Sequence, residues 1–557
     1  MPSAGVNPSR KAARAAHDRW SVTRRFYTRP TGGRRRVGAA SWCCLTGVFL
    51  FGLMKLATLP PFEAFDEAQY WSAIQQFADT RAIPKYGEAR LSADVAAYPG
   101  PLPSSSGQPY TTFFSHVREA GPWSAGPSRY VPGDPLNYEA QHPPLFFILM
   151  APLYRVAAQL PWPAHFLVLR IACWTVAFLG FAMGAYTTQS VLRRRGRLEG
   201  AVLMLPMTWP FLFPQFFEEF ARITNDTLCL ALIGTTWSVL VSVVERSVNW
   251  RRASALGALL GAGLLTKAFF IPFGVGATLL LLFAAWRRNR PDQWVPTLAI
   301  PILALMIGGC WYVRAAVATG TFTGASDFTQ VEKYGGLLQT ALHRFPSTHA
   351  LLLQAPALYL VGLLRMLIGL CWAGTWSFVH PSRLFAIPVV VLAVWPCGLY
   401  LRRVRRMELV DLAPVFLVGP MLAGLLYHLA VMLAATGEGS GTPGWFFHLL
   451  AGPLALVIAL GWGSRVVMVP LTAYAFLHTA VMAWAQIAFF SGCLPRVGRD
   501  PVQLVDADCM VSAANLRLLV FPDLALLAGA LAVISLTVTA ALLTARPATR
   551  PQAVPPA

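Results

Sequence analysis

The stretch that decides the fold is residues 41–59, SWCCLTGVFLFGLMKLATL, which Pro60 and Pro61 close. As a helix, this run is long enough to cross roughly 30 Å of hydrocarbon. It is too long for the core of a cleaved signal peptide, so it predicts an uncleaved first transmembrane helix. The residues before it are basic, which favours the cytoplasmic side. We therefore expect residues 1–40 to form a basic cytoplasmic tail and the first helix to run outward.

Similar apolar runs recur through the rest of the chain. Of its 557 residues, 55% are hydrophobic and 13% are charged, whereas about 25% of the residues of a soluble protein are charged. Recurring apolar runs predict an all-α polytopic membrane protein with about twelve transmembrane helices. Both chain ends are then cytoplasmic, with a second tail at residues 546–557. The later spans are expected near residues 165–191, 199–215, 226–244, 253–270, 272–286, 294–313, 384–401, 411–434, 446–463, 466–490 and 521–543.

The net charge of +20 is concentrated in short arginine clusters. Each cluster adjoins an apolar run, which is the pattern of cytoplasmic loops under the positive-inside rule. Anionic lipid headgroups are the expected partner of these clusters, and nucleic acid is not. The clusters are Arg24-Arg25, Arg34-Arg35-Arg36, Arg193-Arg194-Arg195, Arg251-Arg252, Arg287-Arg288 and Arg402 to Arg406.

One long polar segment, residues 60–143, follows the first apolar run. It is rich in Pro, Gly and Ser but contains Tyr, Trp and Phe throughout, which a flexible linker would lack. We expect a large, folded extracytoplasmic first loop that carries juxtamembrane helices. The apolar spacing of residues 65–74 predicts one short interfacial helix. Residues 143–150 predict a re-entrant or juxtamembrane helix, and residues 351–373 are expected at the outer interface.

The nine cysteines lack the spacing of a metal finger. Most of them fit apolar runs, where a cysteine acts as a small hydrophobic residue. Cys493 and Cys509 differ, because they flank a polar loop that the predicted topology places outside. A disulfide between these two residues is left open.

Charged side chains collect at the predicted outer face. Charges beside or within spans are costly in lipid, which makes them functional candidates. Cations suit the binding of a phosphate and a carboxylate suits proton transfer, so this mixture fits an enzyme that handles an anionic lipid. The residues are Asp66, Glu67, Glu139, His142, Glu218, Glu219, Arg222, Asp226, Lys267 and Arg314.

Five short motifs, in this order, resemble those of a known superfamily. They are Phe65-Asp66-Glu67, Tyr138 to Leu145 (YEAQHPPL), Arg222 to Asp226 (RITND), Leu264 to Lys267 (LLTK) and Trp311 to Arg314 (WYVR). The chain thus resembles the GT-C glycosyltransferases, which use lipid-linked sugars and include the protein O-mannosyltransferases and the lipid A aminoarabinose transferase. The resemblance covers about residues 41–320, the expected transmembrane catalytic module. Residues 321–545 are expected to form a C-terminal transmembrane module with outer loops.

The resemblance implies an inverting glycosyltransferase of a bacterial inner membrane, with its site facing the periplasm or exterior. The donor would be a polyprenyl-phosphate sugar, and the acceptor a glycan, lipid or protein. Asp66 would be the general base, with Glu67 as the alternative base or as a positioning partner. Some relatives use a divalent metal ion, but no tight ligand spacing is visible here, so none is firmly predicted. The implied substrate-binding residues are Glu139, His142, Arg222, Asn225, Asp226, Lys267, Tyr312 and Arg314.

Two positions depart from the motifs of this superfamily. Ala315 stands where relatives often carry Asn, and Gly444-Trp445-Phe446 stands where they often carry Gly-Arg-Tyr. The missing late arginine removes one phosphate contact that the resemblance would otherwise imply.

Structural explanations exist for the same residues. Acidic residues such as Asp66 and Glu67 are favourable in the first turn of any helix, and Asn225 suits an N-cap. Lys267 could reach the interface without binding a ligand, and Arg314 could belong to an interfacial belt.

Three other functions remain as alternatives. A transporter of a lipid or sugar would predict inverted repeats and paired broken helices near the midplane, which the sequence does not show. A polymerase or ligase of lipid-linked oligosaccharides would place its catalytic residues in a late outer loop, near residues 435–445. A structural scaffold would tolerate replacement of the acidic pair.

Overall fold

Helices make up nearly all of the described chain, which confirms the expected all-α polytopic class. Helices satisfy their own backbone hydrogen bonds, which lipid cannot do for them. Cys493 and Cys509 lie outside the described residues. The computed structural model describes residues 32–96, 129–195, 201–370, 383–439, 444–463, 465–490 and 521–544.

The first part of the chain carries a small strand pair among its helices. Strands β1 and β2 are antiparallel, with Arg90 opposite Leu136, and a short 3-10 turn follows at Tyr138–Gln141. The elements are α1 (Gly32–Thr58), α2 (Glu67–Thr80), β1 (Arg90–Ser92), α3 (Ala93–Ala96), β2 (Pro132–Leu136), α4 (Leu145–Ala157), α5 (Trp162–Arg194), α6 (Ala201–Leu212), α7 (Gln215–Phe220), α8 (Asp226–Arg246), α9 (Trp250–Leu264), α10 (Phe270–Arg287) and α11 (Trp294–Thr319).

The second part is helical wherever it is described. A turn of π-helix at Ala350–Gln354 and a 3-10 segment at Gly444–Leu450 lead into two of its helices. The helices are α12 (Ser326–Lys333), α13 (Leu337–Arg344), α14 (Ala355–Gly369), α15 (Arg383–Arg403), α16 (Leu409–Thr436), α17 (Ala451–Trp462), α18 (Arg465–Phe490) and α19 (Pro522–Thr544).

Nine helices of the described chain are long and apolar enough to cross a membrane. They include α1, α5, α8, α10, α11, α14, α16, α17 and α19, some counted with an adjoining turn. Four other predicted spans form α6, α9, α15 and α18, which fall outside these nine. Helix α4 has only 13 residues, fewer than the roughly 20 needed to span a bilayer.

Residues 350–369 form a helix that the predicted set of spans did not include. Residues 351–373 were expected at the outer interface, and Ala350–Gly369 is a largely exposed helix of spanning length. Arg365 is the single charged residue in this run, so composition does not keep it out of hydrocarbon. The helix packs along α16, where the hydroxyl of Tyr359 donates to the carbonyl of Leu426 at 3.0 Å.

Basic clusters meet at one end of the bundle, called the basic end below. There Arg194 lies 2.5 Å from Glu245. Arg195 lies 2.5 Å from Glu408 and 2.7 Å from Asp411. These pairs join the last turn of α5 to the end of α8 and the start of α16. The opposite end, where α1 and α9 end and α8 and α10 begin, is called the site end.

Glycines allow close helix contacts that position the site end. A Cβ atom at Gly234 of α8 would lie 2.0 Å from the carbonyl oxygen of Gly180 in α5. A Cβ atom at Gly308 of α11 would lie 2.5 Å from the Leu264 side chain in α9. Small residues at such contacts let membrane helices approach closely. Close packing of α8 on α5 and of α11 on the end of α9 therefore holds the helices that carry the site.

Candidate active site

Glu67, one of the two predicted bases, lies in a fully buried ion pair. Its two oxygens accept hydrogen bonds from Arg170 Nε at 2.8 Å and Nη2 at 2.6 Å. The backbone amides of Ile223 and Phe62 donate to the same carboxylate at 3.1 and 3.2 Å. Arg170 also donates to the carbonyl of Pro60 at 2.8 Å. This geometry fits a structural role, because Glu67 fastens α2 to α5 and has no exposed surface for a substrate.

Asp66 immediately precedes α2 and is half-buried. Its backbone is left-handed, with φ 61° and ψ 6°, a conformation that Asp tolerates better than most residues. Its Oδ1 accepts a hydrogen bond from the hydroxyl of Tyr138 at 2.5 Å. Among the described residues, no cation forms an ion pair with it. Burial and then the charge of Glu139 raise the pKa of Asp66 to about 6, which suits a general base at neutral pH.

Lys267 and Asp226 form a second buried pair at the site end. The ammonium donates to both carboxylate oxygens at 2.8 Å. It also lies 5.2 Å from the Phe269 ring and 5.3 Å from the Phe446 ring, within cation–π range. Burial lowers the pKa of Lys267, but the charge of Asp226 outweighs burial and keeps that pKa above its ordinary value. The ammonium group therefore stays charged.

Arg222 is fixed by Glu219 and by the residue before Asp66. Its Nη2 donates to Glu219 Oε1 at 2.7 Å, and its Nη1 donates to the carbonyl of Phe65. Burial raises the pKa of Glu219 to about 8. The Glu219 carboxyl is therefore protonated at neutral pH.

Glu139 and His142 pair in the segment that closes the first loop. His142 Nε2 lies 2.9 Å from Glu139 Oε2. Burial raises the pKa of Glu139, but the contact with His142 outweighs burial and holds it below its ordinary value. The Tyr70 ring stacks on His142 with 6.4 Å between centroids, and its hydroxyl donates to Asn225 Oδ1 at 2.8 Å. The Asn225 side chain thus links α2 to α8 and does not cap α8.

Tyr312 and Arg314 differ in their surroundings. Tyr312 is buried, and its hydroxyl donates to the carbonyl of Leu264 at 2.9 Å. It thereby supports the loop that carries Lys267. Arg314 is exposed, and its guanidinium lies 4.8 Å from the Trp311 ring centroid. No carboxylate in the described part of the chain pairs with Arg314, so this cation is available to an anion.

Aromatic residues of the late 3-10 segment reach the site end, which the sequence analysis did not anticipate. The Trp445 ring stacks on the Phe65 ring with 5.1 Å between centroids and 20° between planes. The Phe446 ring lies 4.3 Å from the Phe269 ring. The resemblance would imply an arginine in this segment, and the chain has the aromatic residues Trp445 and Phe446 there instead.

Two buried polar networks also escaped the sequence analysis. One is centred on Arg170 in α5. In the other, Lys55 of α1 lies 2.5 Å from Glu218 and also donates to Gln486 of α18. Gln486 in turn donates to Glu218 at 3.0 Å. The available signal in both cases is a basic residue inside an apolar run, where lipid penalises it.

The site end therefore offers two kinds of chemistry. Asp66 can accept a proton, and the cations around it can stabilise a developing negative charge. Among the described residues, no three His, Cys, Asp or Glu side chains are grouped so as to hold a metal ion.

Comparison with known proteins finds matches among solved structures only. No protein-family model matches the chain, and no curated protein matches it significantly. The chain is similar to the crystal structure of ArnT from Cupriavidus metallidurans bound to undecaprenyl phosphate. The identity is 12% and the TM-score 0.41, and the match covers 90% of this chain and 76% of that chain.

Proposed function

We propose that the chain is an inverting glycosyltransferase that moves a sugar from a polyprenyl-phosphate donor to an acceptor hydroxyl on the extracytoplasmic side of the membrane. One observation carries the proposal. Of the six acids expected at the outer face, Asp66 is the one with no cation within ion-pair distance among the described residues. An unpaired, half-buried carboxylate beside cations is suited to accept a proton. The six acids are Asp66, Glu67, Glu139, Glu218, Glu219 and Asp226.

The proposed step moves one proton and exchanges one C–O bond. The acceptor hydroxyl gives its proton to Asp66 while its oxygen bonds to the anomeric carbon of the donor. The bond from that carbon to the phosphate oxygen breaks with inversion, and the lipid phosphate leaves with the electron pair. Tyr138 holds Oδ1, so Oδ2 is the oxygen that takes the proton. General-base action of this kind contributes about 10²–10⁴ to the rate.

The leaving phosphate gains negative charge, which the neighbouring cations would stabilise. Within the described part of the chain Arg314 contacts the Trp311 ring and no carboxylate, so it can bind phosphate without breaking an ion pair. Lys267 lies against the Asp226 carboxylate, and Arg222 lies against the Glu219 carboxyl group. Because Glu219 is protonated at neutral pH, Asp226 is the one ionised acid among these four residues. The group of four therefore keeps a net positive charge for the phosphate.

The charge distribution supports the proposed orientation. Arginines meet at the basic end, around Arg194 and Arg195, and arginine-rich ends of membrane helices normally face the cytoplasm. Asp66 and Lys267 belong to the opposite end. The site would then face the periplasm or exterior and receive its lipid donor laterally from the bilayer.

The experiment measures sugar release from a panel of polyprenyl-phosphate sugars by purified wild type and Asp66→Asn. We expect wild type to cleave one donor and Asp66→Asn to lose about 10²–10⁴ in rate. Asp79→Asn is the matched control, because Asp79 lies on the same helix and accepts a hydrogen bond from the Tyr130 amide; it should keep wild-type activity. Full activity of Asp66→Asn would refute the assignment of the base. Cleavage of no donor, with tight binding of a lipid-linked oligosaccharide, would favour a polymerase, ligase or transporter.

A further inference from the structure

An aromatic surface lies directly beside Asp66. Trp445 stacks on Phe65, the residue that precedes Asp66 in the chain. Phe446 packs on Phe269. Trp445 and Phe446 are each half-buried, so part of each of these side chains is accessible to a ligand. We call Trp445, Phe446 and Phe65 the aromatic platform.

Cations border the aromatic platform on two sides. The Lys267 ammonium lies 5.3 Å from the Phe446 ring. The Arg222 guanidinium lies 6.0 Å from the Phe65 ring. A ligand on the platform would therefore have a carboxylate at one edge and positive charge nearby. This is the order of groups that a lipid-phosphate sugar requires, with its ring between the attacking hydroxyl and the phosphate.

Packing elsewhere in the late segment holds the platform in place. Gly444 lies so close to α14 that a Cβ atom there would be 1.8 Å from the carbonyl oxygen of Met366. Phe447 is buried in a cluster with Met366 and Leu425. The backbone on both sides of Trp445 is thus anchored, which fixes the ring against Phe65.

We propose that Trp445, held against Phe65, binds the sugar ring of the lipid-linked donor by stacking on its apolar C–H face. The inference deepens the proposed function and rests on it. An aromatic ring offers a large, rigid apolar face that needs no hydrogen bond from the ligand. An arginine at the same place would instead form a bidentate contact with phosphate. Aromatic residues at this place therefore favour contact with the sugar over contact with the phosphate.

Binding measured without turnover tests this inference. All variants are made in the Asp66→Asn background, in nanodiscs, with undecaprenyl phosphate and with the same lipid carrying glucose, mannose, galactose or arabinose. We expect Trp445→Ala to raise the Kd of the preferred sugar-lipid on the order of tenfold. The Kd of undecaprenyl phosphate should change less than about twofold, because the bare lipid lacks the stacked ring.

Two further variants separate stacking from a loss of folding. Trp445→Phe keeps an aromatic face and should retain most of the affinity for the sugar-lipid. Trp286→Ala removes an exposed tryptophan at the other end of α10 from Lys267 and should change neither Kd. If Trp445→Ala weakened the binding of both lipids equally, or of neither, the sugar-binding role of the aromatic platform would be refuted, but the proposed function would not. Equal binding of lipids with and without a sugar, before Trp445 is changed, would overturn the platform and the proposed function together.

Discussion

Replacing Asp66 with Asn should stabilise the folded protein while it removes the catalytic base. The pKa of Asp66 is about 6 in the folded protein, against an ordinary value of 3.8. An acid with a raised folded pKa costs stability wherever it is ionised, because the unfolded chain holds the charge more easily. The cost is absent below pH 3.8, grows between pH 3.8 and about 6, and is complete above that range. Asn carries no such charge.

The size of the effect follows from the shift in pKa. A shift of about two pH units corresponds to about 3 kcal/mol. Partial exposure of Asp66 and the weaker hydrogen bond from Tyr138 to a neutral amide, worth about 1 kcal/mol, reduce this figure. Asn tolerates the left-handed backbone as well as Asp does, so no strain is added. We expect a net gain of about 1 kcal/mol above pH 6, or roughly 2 °C in Tm.

The assay is thermal unfolding of wild type and Asp66→Asn in one detergent across a series of pH values. The difference in Tm should be smallest at the acid end of the series and should reach a plateau above pH of about 6.5. Lower stability of Asp66→Asn at neutral pH would show that the carboxylate supports the fold. In that case the argument that Asp66 is kept for proton transfer would fail, even if the variant were inactive.

Other variants test the electrostatics of the same site. Tyr138→Phe removes a hydrogen bond that lowers the pKa of Asp66, so the acid limb of the pH profile of kcat/KM should move to higher pH. Glu139→Gln removes a charge that raises the same pKa, so the limb should move to lower pH; shifts in one common direction would contradict both assignments. Glu219 ionises above a pH of about 8 and then adds negative charge near the phosphate. Wild type should therefore lose activity above that pH, whereas Glu219→Gln should stay active. Parallel pH profiles of the two proteins would exclude an effect of Glu219 ionisation on activity. Arg170→Met leaves a buried carboxylate without its partner, a change that costs about 3–5 kcal/mol; yield of monodisperse protein after size-exclusion chromatography should fall sharply, and a wild-type yield would show that the pair is dispensable.

The sequence was sufficient to predict that distant charged residues share one end of the bundle. Asp66, Arg222, Asp226 and Lys267 each lie at the end of an apolar run. A bilayer of fixed thickness forces such ends into a common plane, and the arginine clusters identify the opposite plane. The length and composition of each apolar run contain this information, because they reflect whether lipid or water surrounds that part of the chain. They also predicted the helical class and most of the span positions.

Which charges pair, and which remain available, was decided by the tertiary structure. Asp66 and Glu67 are neighbours with the same local pattern, yet Arg170 binds one of them and leaves the other without an ion pair. Trp445 lies far along the chain and reaches the site only through the packing of its segment on α14. Which side chains pair depends on close contacts between helices, and these contacts are determined by glycines and by buried side chains from distant segments. A linear pattern of apolar and polar residues does not encode those contacts, because it fixes where each helix lies in the membrane but not which side chains of other helices it meets.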